Sequence, residues 1–183
     1  ATAIDVGAST GGFTDCMLRA GARLVYAVDV GYGQLAWRLR QDERVRVMER
    51  VNARYLMPSM FDVPASFASV DVSFISLKLI LPALMRVLAP PYTIVTLIKP
   101  QFEAGRERVG KKGVVRDKAV HKDVIADILA FAKEAGLSVC GLDFSPIRGP
   151  EGNIEYLACL KSGGEYPEPD IGRVVEEAHK SAL

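Results

Sequence analysis

The apolar positions of this chain follow two alternating spacings. Short runs rich in β-branched residues predict buried strands, and the segments between them repeat apolar residues every three or four positions, which predicts helices. A weaker helical pattern runs through the segment up to Met60. Strands are predicted over 3–6, 24–30, 45–49, 68–72, 92–98, 138–144 and 154–161, and helices over 13–20, 34–41, 77–88, 119–135 and 171–183.

The alternation predicts an α/β fold with a parallel sheet covered by helices on both faces. The last two predicted strands break the alternation, because only residues 145–153 separate them. Since a parallel connection needs a crossover of a dozen or more residues, these two strands should pair as an antiparallel hairpin. A seven-stranded, mostly parallel sheet with an antiparallel last strand is the class I S-adenosylmethionine-dependent methyltransferase fold, a Rossmann-like arrangement.

The pattern also predicts how the chain divides. Residues 1–162 form the predicted domain, and residues 163–183 form a linker and a C-terminal helix, with Asp170 as its cap. Two glycines and two prolines between 163 and 169 mark the linker. Because the first predicted strand begins almost at residue 1, we expect an N-terminal region to precede it.

Composition narrows the class of protein only slightly. The 183 residues carry a net charge of +1, with 25% charged and 49% hydrophobic residues, which is typical of a globular protein. No apolar run is long enough for a membrane span, and we expect a reducing, cytoplasmic location with three buried cysteines. The cysteines are Cys16, Cys140 and Cys159. The histidines, His121 and His179, lack metal-ligand spacing and are expected to be ordinary helix or surface residues. Trp37 is expected to pack on the sheet.

A glycine-rich segment follows the first strand and predicts a nucleotide-binding turn. Its spacing differs from the G-x-G-x-x-G of dinucleotide folds, which favours a ligand without a pyrophosphate, such as S-adenosylmethionine. An acid at the end of the second strand, Asp29, can hold the ribose hydroxyls, although it could instead cap the following loop. Asn52 could contact the adenine edge or simply form a turn. The predicted cofactor-binding residues are Asp5, Gly7, Ser9, Thr10, Gly11, Gly12, Phe13, Asp29, Val30, Asn52 and Asp71.

Charged residues stand at the sheet edge where ligands bind in such folds. Asp71 lies at the end of the fourth predicted strand, Lys99 directly follows the fifth, and Glu155 lies at the start of the antiparallel strand. A lysine directly after an apolar strand is costly unless it has a partner. Methyl transfer to a hydroxyl needs a base, which a lysine can supply while carboxylates orient it. The structural alternatives are a cap for Asp71 and a solvated strand position for Glu155.

Basic residues are concentrated between the fifth strand and the longest helix. A flexible basic loop beside Lys99 predicts contacts with RNA phosphates, and the alternative is a solvated, mobile loop. The predicted RNA-binding residues are Arg106, Arg108, Lys111, Lys112 and Arg116.

Five motifs together resemble the TlyA family, "hemolysin"-named proteins with an FtsJ-like rRNA methyltransferase domain. The motifs are DVGASTGGFTDC at 5–16, VDVGYGQLAW at 28–37, DVSFISL at 71–77, IKPQFEAG at 98–105 and GPEGNIE at 149–155. The resemblance implies S-adenosylmethionine-dependent methylation of cytidine 2′-hydroxyls in ribosomal RNA, with ribosomal RNA or ribosomal subunits as partners. It also implies a Lys-Asp-Lys-Glu catalytic set.

The resemblance places Asp71, Lys99 and Glu155 at the last three members of that set. The first lysine belongs to a segment upstream of the glycine-rich loop, and the family's N-terminal RNA-binding domain also lies outside this chain. Three other functions are the alternatives. A membrane-lysing hemolysin would need an amphipathic membrane helix, a NAD-dependent oxidoreductase would need the G-x-G-x-x-G loop, and an RNA-binding module without catalysis would not need the three charged residues.

Overall fold

A computed structural model describes residues 1–181, and they contain one seven-stranded sheet. The strand order is β3-β2-β1-β4-β5-β7-β6. The strands are β1 (Thr2–Val6), β2 (Leu24–Val28), β3 (Val45–Met48), β4 (Ala65–Val70), β5 (Leu88–Ile98), β6 (Ser138–Phe144) and β7 (Tyr156–Lys161). The helices are α1 (Gly12–Arg19), α2 (Trp37–Arg40), α3 (Leu77–Val87), α4 (Pro100–Glu103), α5 (Lys118–Glu134) and α6 (Ile171–Ser181).

The sheet confirms the predicted fold class. Strand β1 pairs in parallel with β2 and with β4, and β2 pairs in parallel with β3. Strand β7 runs antiparallel to its neighbours β5 and β6, so β6 and β7 form the predicted hairpin. The hairpin register shifts between Val139 and Gly141, which makes a bulge at Cys140.

The chain divides into two compact units. The first unit comprises residues 1–72 and 79–94, and the second comprises residues 73–78 and the chain from residue 95. In the first unit β1 and β2 are almost fully buried, as expected for central strands of a parallel sheet, and β4 buries four of its six residues. One face of this unit is a core in which Leu18 of α1 and Leu39 of α2 pack with Val25 and Ala27 of β2.

In the second unit, α5 is the longest helix and buries one face. The Asp117 side chain accepts a hydrogen bond from the backbone N–H of Ala119 at 2.8 Å and thereby caps the start of α5. The helix then buries seven residues, including Val124, Ile125 and Ile128, and it contacts α6 and β6. Asp170 caps α6 in the same way, by accepting from the N–H of Arg173 at 3.0 Å. No helix within residues 1–181 is both long and apolar enough to cross a membrane.

The predicted elements are all present, and their boundaries differ in places. The helix predicted over 34–41 is one turn, Trp37–Arg40, and the weak helical pattern up to Met60 is two 3₁₀ turns, Ala53–Tyr55 and Pro58–Met60. Strand β5 starts four residues earlier than predicted, and β7 begins at Tyr156, so Glu155 precedes the strand. The helix predicted over 171–183 ends at Ser181, and residues 182 and 183 lie outside the described residues.

Candidate active site

The glycine-rich loop between β1 and α1 has the backbone that its sequence predicts. Gly7 has a φ of 80°, and a Cβ there would overlap the carbonyl oxygen of Asp71, so the position requires glycine. Gly11 has a φ of 107°, which is likewise in the left-handed region. At Gly12, the first residue of α1, a Cβ would meet nothing within 4 Å. The loop therefore opens to free space at the N-terminus of a helix, which suits a ligand.

Asp29 is held at the end of β2 by two backbone donors. Its Oδ2 accepts from the N–H of Ser9 at 2.7 Å, and its Oδ1 accepts from the N–H of Gly31 at 2.8 Å. Ser9 reaches this contact with a positive φ of 52°. A carboxylate oxygen can accept a second hydrogen bond, so the fixed carboxylate can still receive ribose hydroxyls. A small cleft beside it is lined by Asp29, Gly31, Gln34 and Glu49, among others.

Asp5 supports the glycine-rich loop from the buried side. Its side chain is fully buried and accepts from the hydroxyls of Thr14 at 2.7 Å and Ser69 at 3.1 Å. Burial raises the pKa of Asp5 above 3.8, the nearby Asp71 charge acts in the same direction, and the two hydroxyls oppose the shift. Because both oxygens are engaged inside the unit, any effect of Asp5 on a cofactor is exerted through the position of α1.

The remaining predicted cofactor residues lie on the exposed side of the same unit. Val30, Phe13 and Thr10 are exposed, and the Thr10 carbonyl accepts from the N–H of Ala36 at 3.0 Å. Asn52 caps a 3₁₀ turn, because its Oδ1 accepts from the N–H of Arg54 at 3.0 Å. Its Nδ2 and the second acceptor position of its Oδ1 are the groups with which Asn52 could contact an adenine ring.

Lys99 lies at the end of β5, where Pro100 begins α4. Its Nζ lies 3.3 Å from the Ser73 hydroxyl and 6.0 Å from the centre of the Phe102 ring. Lys99 is half-buried, and its ammonium group has a polar and an aromatic neighbour. Ser73 and Phe102 were not predicted as site residues, although both belong to the motifs that contain Asp71 and Lys99.

Glu155 is 7% exposed and lies in the same unit as Lys99. The amide Nε2 of Gln101 donates to its Oε2 at 2.9 Å. Gly149 lies directly beside this pair, since a Cβ there would come within 2.8 Å of the same Oε2. Sequence reasoning missed Gln101 and the packing role of Gly149, and only their presence in two of the five motifs could have indicated them.

Phe74 is the most exposed large apolar side chain among the described residues, at 90%. It has a positive φ of 64°, which is strained for a residue with a Cβ, and its ring lies 4.8 Å from that of Phe102. Strain at an exposed aromatic beside Lys99 points to a functional use. No spacing rule in the sequence predicts this conformation.

The basic loop is more ordered than its glycines suggest. It contains two 3₁₀ turns, Arg106–Arg108 and Lys111–Gly113, and all five predicted RNA-binding residues are exposed. Arg108 forms an ion pair with Asp123 of α5 at 2.7 Å, so four exposed cations remain as the stronger candidates for phosphate contacts. Val114 and Val115 are buried and anchor the end of the loop.

Three expectations about single residues are wrong. His121 is fully buried, with one ring nitrogen 2.7 Å from the Tyr156 hydroxyl and the other 2.8 Å from the Val115 carbonyl, and burial lowers its pKa. Trp37 is 71% exposed because α2 is only one turn long. Cys16 is exposed on α1, and Cys140 and Cys159 are only half-buried.

The structure brings most of the predicted site residues together within their own unit. The predicted cofactor residues all belong to the first unit, whereas Lys99, Glu155 and the basic loop belong to the second. Asp71 follows β4 in the first unit, and its backbone N–H donates to the Val6 carbonyl at 2.9 Å. Within residues 1–181 no group of three His, Cys, Asp or Glu side chains could hold a metal ion.

Comparison with known proteins places this arrangement among methyltransferases. Residues 1–162 match the FtsJ-like methyltransferase family. YqxC of Bacillus subtilis strain 168, whose name refers to an rRNA methyltransferase, is 58% identical over 97% of this chain and 66% of its own length. The 16S/23S rRNA (cytidine-2′-O)-methyltransferase TlyA of Mycobacterium tuberculosis strain H37Rv is 46% identical over 87% of this chain and 59% of its own length.

A solved structure shows the same likeness. The hemolysin-named protein of Streptococcus thermophilus is 56% identical and superposes with a TM-score of 0.94, over 98% of this chain and 66% of that one. The chain thus spans between 59% and 66% of the length of these relatives.

Proposed function

Because the chain belongs to the FtsJ-like methyltransferase family, we propose that it catalyses methyl transfer from S-adenosylmethionine to cytidine 2′-hydroxyls of ribosomal RNA. The observation that carries this proposal is the presence, in one unit, of a half-buried lysine, Lys99, and a buried carboxylate that accepts a hydrogen bond, Glu155. The name of the Mycobacterium tuberculosis relative supports the choice of substrate. Ribosomal RNA or ribosomal subunits would then be the partners, in the cytoplasm.

The residues of the first unit fit the cofactor. The space beside Gly12 is open, the α1 N-terminus offers backbone donors, and Asp29 is fixed by two N–H groups in an orientation suited to a ribose. We assign the loop residues Gly7 to Phe13, together with Asp29, Val30 and Asn52, to cofactor binding. Asp5 contributes by holding Thr14 of α1. When bound, the cofactor supplies an electrophilic methyl group on a sulfonium.

The second unit supplies the groups that act on the hydroxyl. Lys99, in its unprotonated state, accepts the proton of the 2′-hydroxyl while the oxygen–carbon bond forms and the carbon–sulfur bond breaks. Glu155, oriented by Gln101, holds the ribose or the lysine in place. The role of Asp71 as the aspartate of the Lys-Asp-Lys-Glu set stays a prediction from the family pattern. Arg106, Lys111, Lys112 and Arg116 would bind the RNA phosphates, with Arg108 supporting the loop.

Phe74 provides a stacking surface for the target base. An exposed aromatic ring can stack on a base that has left its helix, and such contacts are worth about 1–3 kcal/mol per base. Phe74→Leu should therefore raise the KM for RNA by roughly 5- to 150-fold, whereas Phe74→Trp should retain activity. Trp37→Leu removes another exposed aromatic ring and serves as the control. An equal loss in both leucine variants would contradict the stacking role.

The proposed function is tested by methyl incorporation. Purified small and large ribosomal subunits that lack cytidine 2′-O-methylation are incubated with the protein and methyl-labelled S-adenosylmethionine, and the RNA is digested to nucleosides. Label should appear in 2′-O-methylcytidine and should be lost with Lys99→Ala. Label on a base, or no label in either subunit while the protein binds the cofactor, would contradict the proposal.

A further inference from the structure

Asn153 has a buried side chain, and both of its polar atoms form hydrogen bonds with the backbone of the basic loop. It is 4% exposed. Its Oδ1 accepts from the N–H of Val115 at 2.9 Å, and its Nδ2 donates to the carbonyl of Gly113 at 2.9 Å. An amide that satisfies one donor and one acceptor of the same stretch of backbone fixes that backbone in both distance and direction.

These two contacts hold the end of the basic loop. Gly113 closes the 3₁₀ turn that contains Lys111 and Lys112, and Arg116 follows Val115 directly. Within the loop, the N–H of Gly110 donates to the Val114 carbonyl at 2.9 Å, so the turn moves as a closed unit. Asn153 therefore sets the position of the cationic side chains on this turn.

The same residue lies two positions before Glu155. Its carbonyl accepts from the N–H of Gly149 at 2.9 Å, which closes the turn that leads to Glu155. Gly149 in turn lies directly beside the Glu155 carboxylate and its partner Gln101. The carbonyl of Glu155 accepts from the N–H of Ser145 at 2.8 Å. A short, hydrogen-bonded segment thus connects the loop to the surroundings of the carboxylate.

We propose that Asn153 is a positioning residue that couples RNA engagement by the basic loop to the placement of Glu155. The proposal rests on the proposed function, because it assumes that the loop binds RNA and that Glu155 acts in the reaction. Phosphates bound by the loop then hold Glu155 in its working position. The loop raises kcat as well as affinity, which a tether that only captures RNA would not do.

Two substitutions separate the contacts. Asn153→Ala removes both, whereas Asn153→Asp keeps the acceptor for Val115 and places an oxygen against the Gly113 carbonyl. Each should lower kcat by about 10- to 100-fold, as expected when a catalytic group is misplaced, with cofactor affinity unchanged. Ser138→Ala, which removes a side-chain hydrogen bond to the Gly164 carbonyl elsewhere in the unit, is the matched control and should leave kcat unchanged.

The coupling is measured by combining variants. Neutralising Lys111 and Lys112 in the unmodified protein should lower kcat and raise the KM for ribosomal RNA. In the Asn153→Ala background the same neutralisation should raise KM only, because the connection to Glu155 is already lost. Independent, multiplicative effects on kcat in the two backgrounds would overturn the proposal.

Hydrogen exchange gives a readout that does not depend on turnover. Ribosomal RNA should slow exchange at Val115 and also at Ser145, whose N–H reports on the Glu155 carbonyl. In Asn153→Ala the protection at Ser145 should disappear. If RNA binds and protects the loop without protecting Ser145 in the unmodified protein, the coupling is wrong. If coupled protection occurs but no methyl is transferred, the proposed function fails and the coupling stands.

Discussion

Asp5 and Asp29 lie at the ends of neighbouring strands and have different roles, although the sequence presents both as acids at the ends of apolar strands. Asp5 is enclosed, and its oxygens accept from two hydroxyls, whereas Asp29 accepts from two backbone N–H groups at the exposed edge. The difference follows from position, because Asp5 lies within β1 between α1 and β4, whereas Asp29 follows the end of β2. Only Asp29 keeps acceptor capacity toward a ligand.

Asp29→Ala should weaken S-adenosylmethionine binding by about 1–3 kcal/mol, because hydrogen bonds to a charged acceptor are lost. Titration calorimetry measures the change. Asp62→Ala, at an exposed loop position of the same unit, is the control. Equal affinities of the Asp29→Ala variant and the unmodified protein would remove Asp29 from the cofactor site.

Substitutions of Lys99 distinguish a role in proton transfer from a role in electrostatic support. Lys99→Ala should lower kcat by ~10²–10⁴-fold, the usual cost of losing a general base, with the fold and cofactor affinity retained. Lys99→Arg should not restore turnover, because a guanidinium stays protonated and cannot accept the hydroxyl proton. Single-turnover rates on ribosomal subunits provide the measurement. Near-normal rates with arginine would limit Lys99 to positioning or charge stabilisation.

At the scale of single residues, the sequence identifies those whose chemistry is tied to a strand end or to a glycine turn. It predicts Lys99, Glu155 and Asp29 because an open parallel sheet collects ligands at one edge. It cannot predict Gln101 or Phe74, since their roles depend on a side-chain contact over 54 positions and on a strained φ. It also misplaces His121, because burial of a helix histidine depends on what packs against that helix.

At the scale of elements, the basic loop shows how glycines can mislead. Gly105, Gly110 and Gly113 indicate a mobile loop, yet the segment contains two 3₁₀ turns that are tied down by Val114, Val115 and Asn153. Its cations are therefore presented from a defined backbone. Such a loop loses less conformational entropy when it binds phosphates.

Neutralising Lys111, Lys112 and Arg116 to alanine should weaken RNA binding and flatten its dependence on salt. Each phosphate contact contributes about one unit to the slope of log K against log salt, so the slope should fall by up to about three. Cofactor affinity should be unchanged. Neutralising Lys133, Lys161 and Lys180 changes net charge equally and should leave the slope close to normal. An unaltered slope in the loop variant would show that the loop does not face RNA.

The long elements are predictable because their apolar spacing is unambiguous. Strand β6 and helices α1, α3 and α5 lie within one residue of their predicted ends. The short elements are not, because α2 has four residues and the two 3₁₀ turns after β3 have three each, which is too few for an apolar spacing to repeat. Strand β5 is longer than predicted because Pro90 and Pro91 interrupt the β-branched pattern without ending the strand.

At the scale of the whole molecule, ionisation of the buried Asp5 lowers the free energy of unfolding. Burial raises its pKa in the folded state, so the folded state holds this proton more tightly than the unfolded chain does. As the pH rises above 3.8, ionisation of Asp5 lowers the free energy of unfolding until the pH exceeds its folded pKa. Asp5 nevertheless has a structural role, because its carboxyl group holds both α1 and β4 by hydrogen bonds.

Asp5→Asn removes that ionisation. The free energy of unfolding of the variant, relative to the unmodified protein, should therefore increase between pH 4 and pH 7. Urea unfolding at several pH values measures the difference, and Asp62→Asn, at an exposed position, should show almost no trend. A difference that is constant with pH would show that Asp5 keeps an ordinary pKa in the folded protein.

The exposed thiol on α1 also makes the molecule easy to observe. Cys16 lies four residues after Gly12 and is the accessible one of the three cysteines, while burial raises the pKa of Cys159 to about 11. A thiol-reactive dye at neutral pH will therefore attach preferentially to α1, one turn from the proposed cofactor loop. A single labelling reaction, without any engineered cysteine, thus places a fluorescent reporter where its response to added S-adenosylmethionine can be followed in real time.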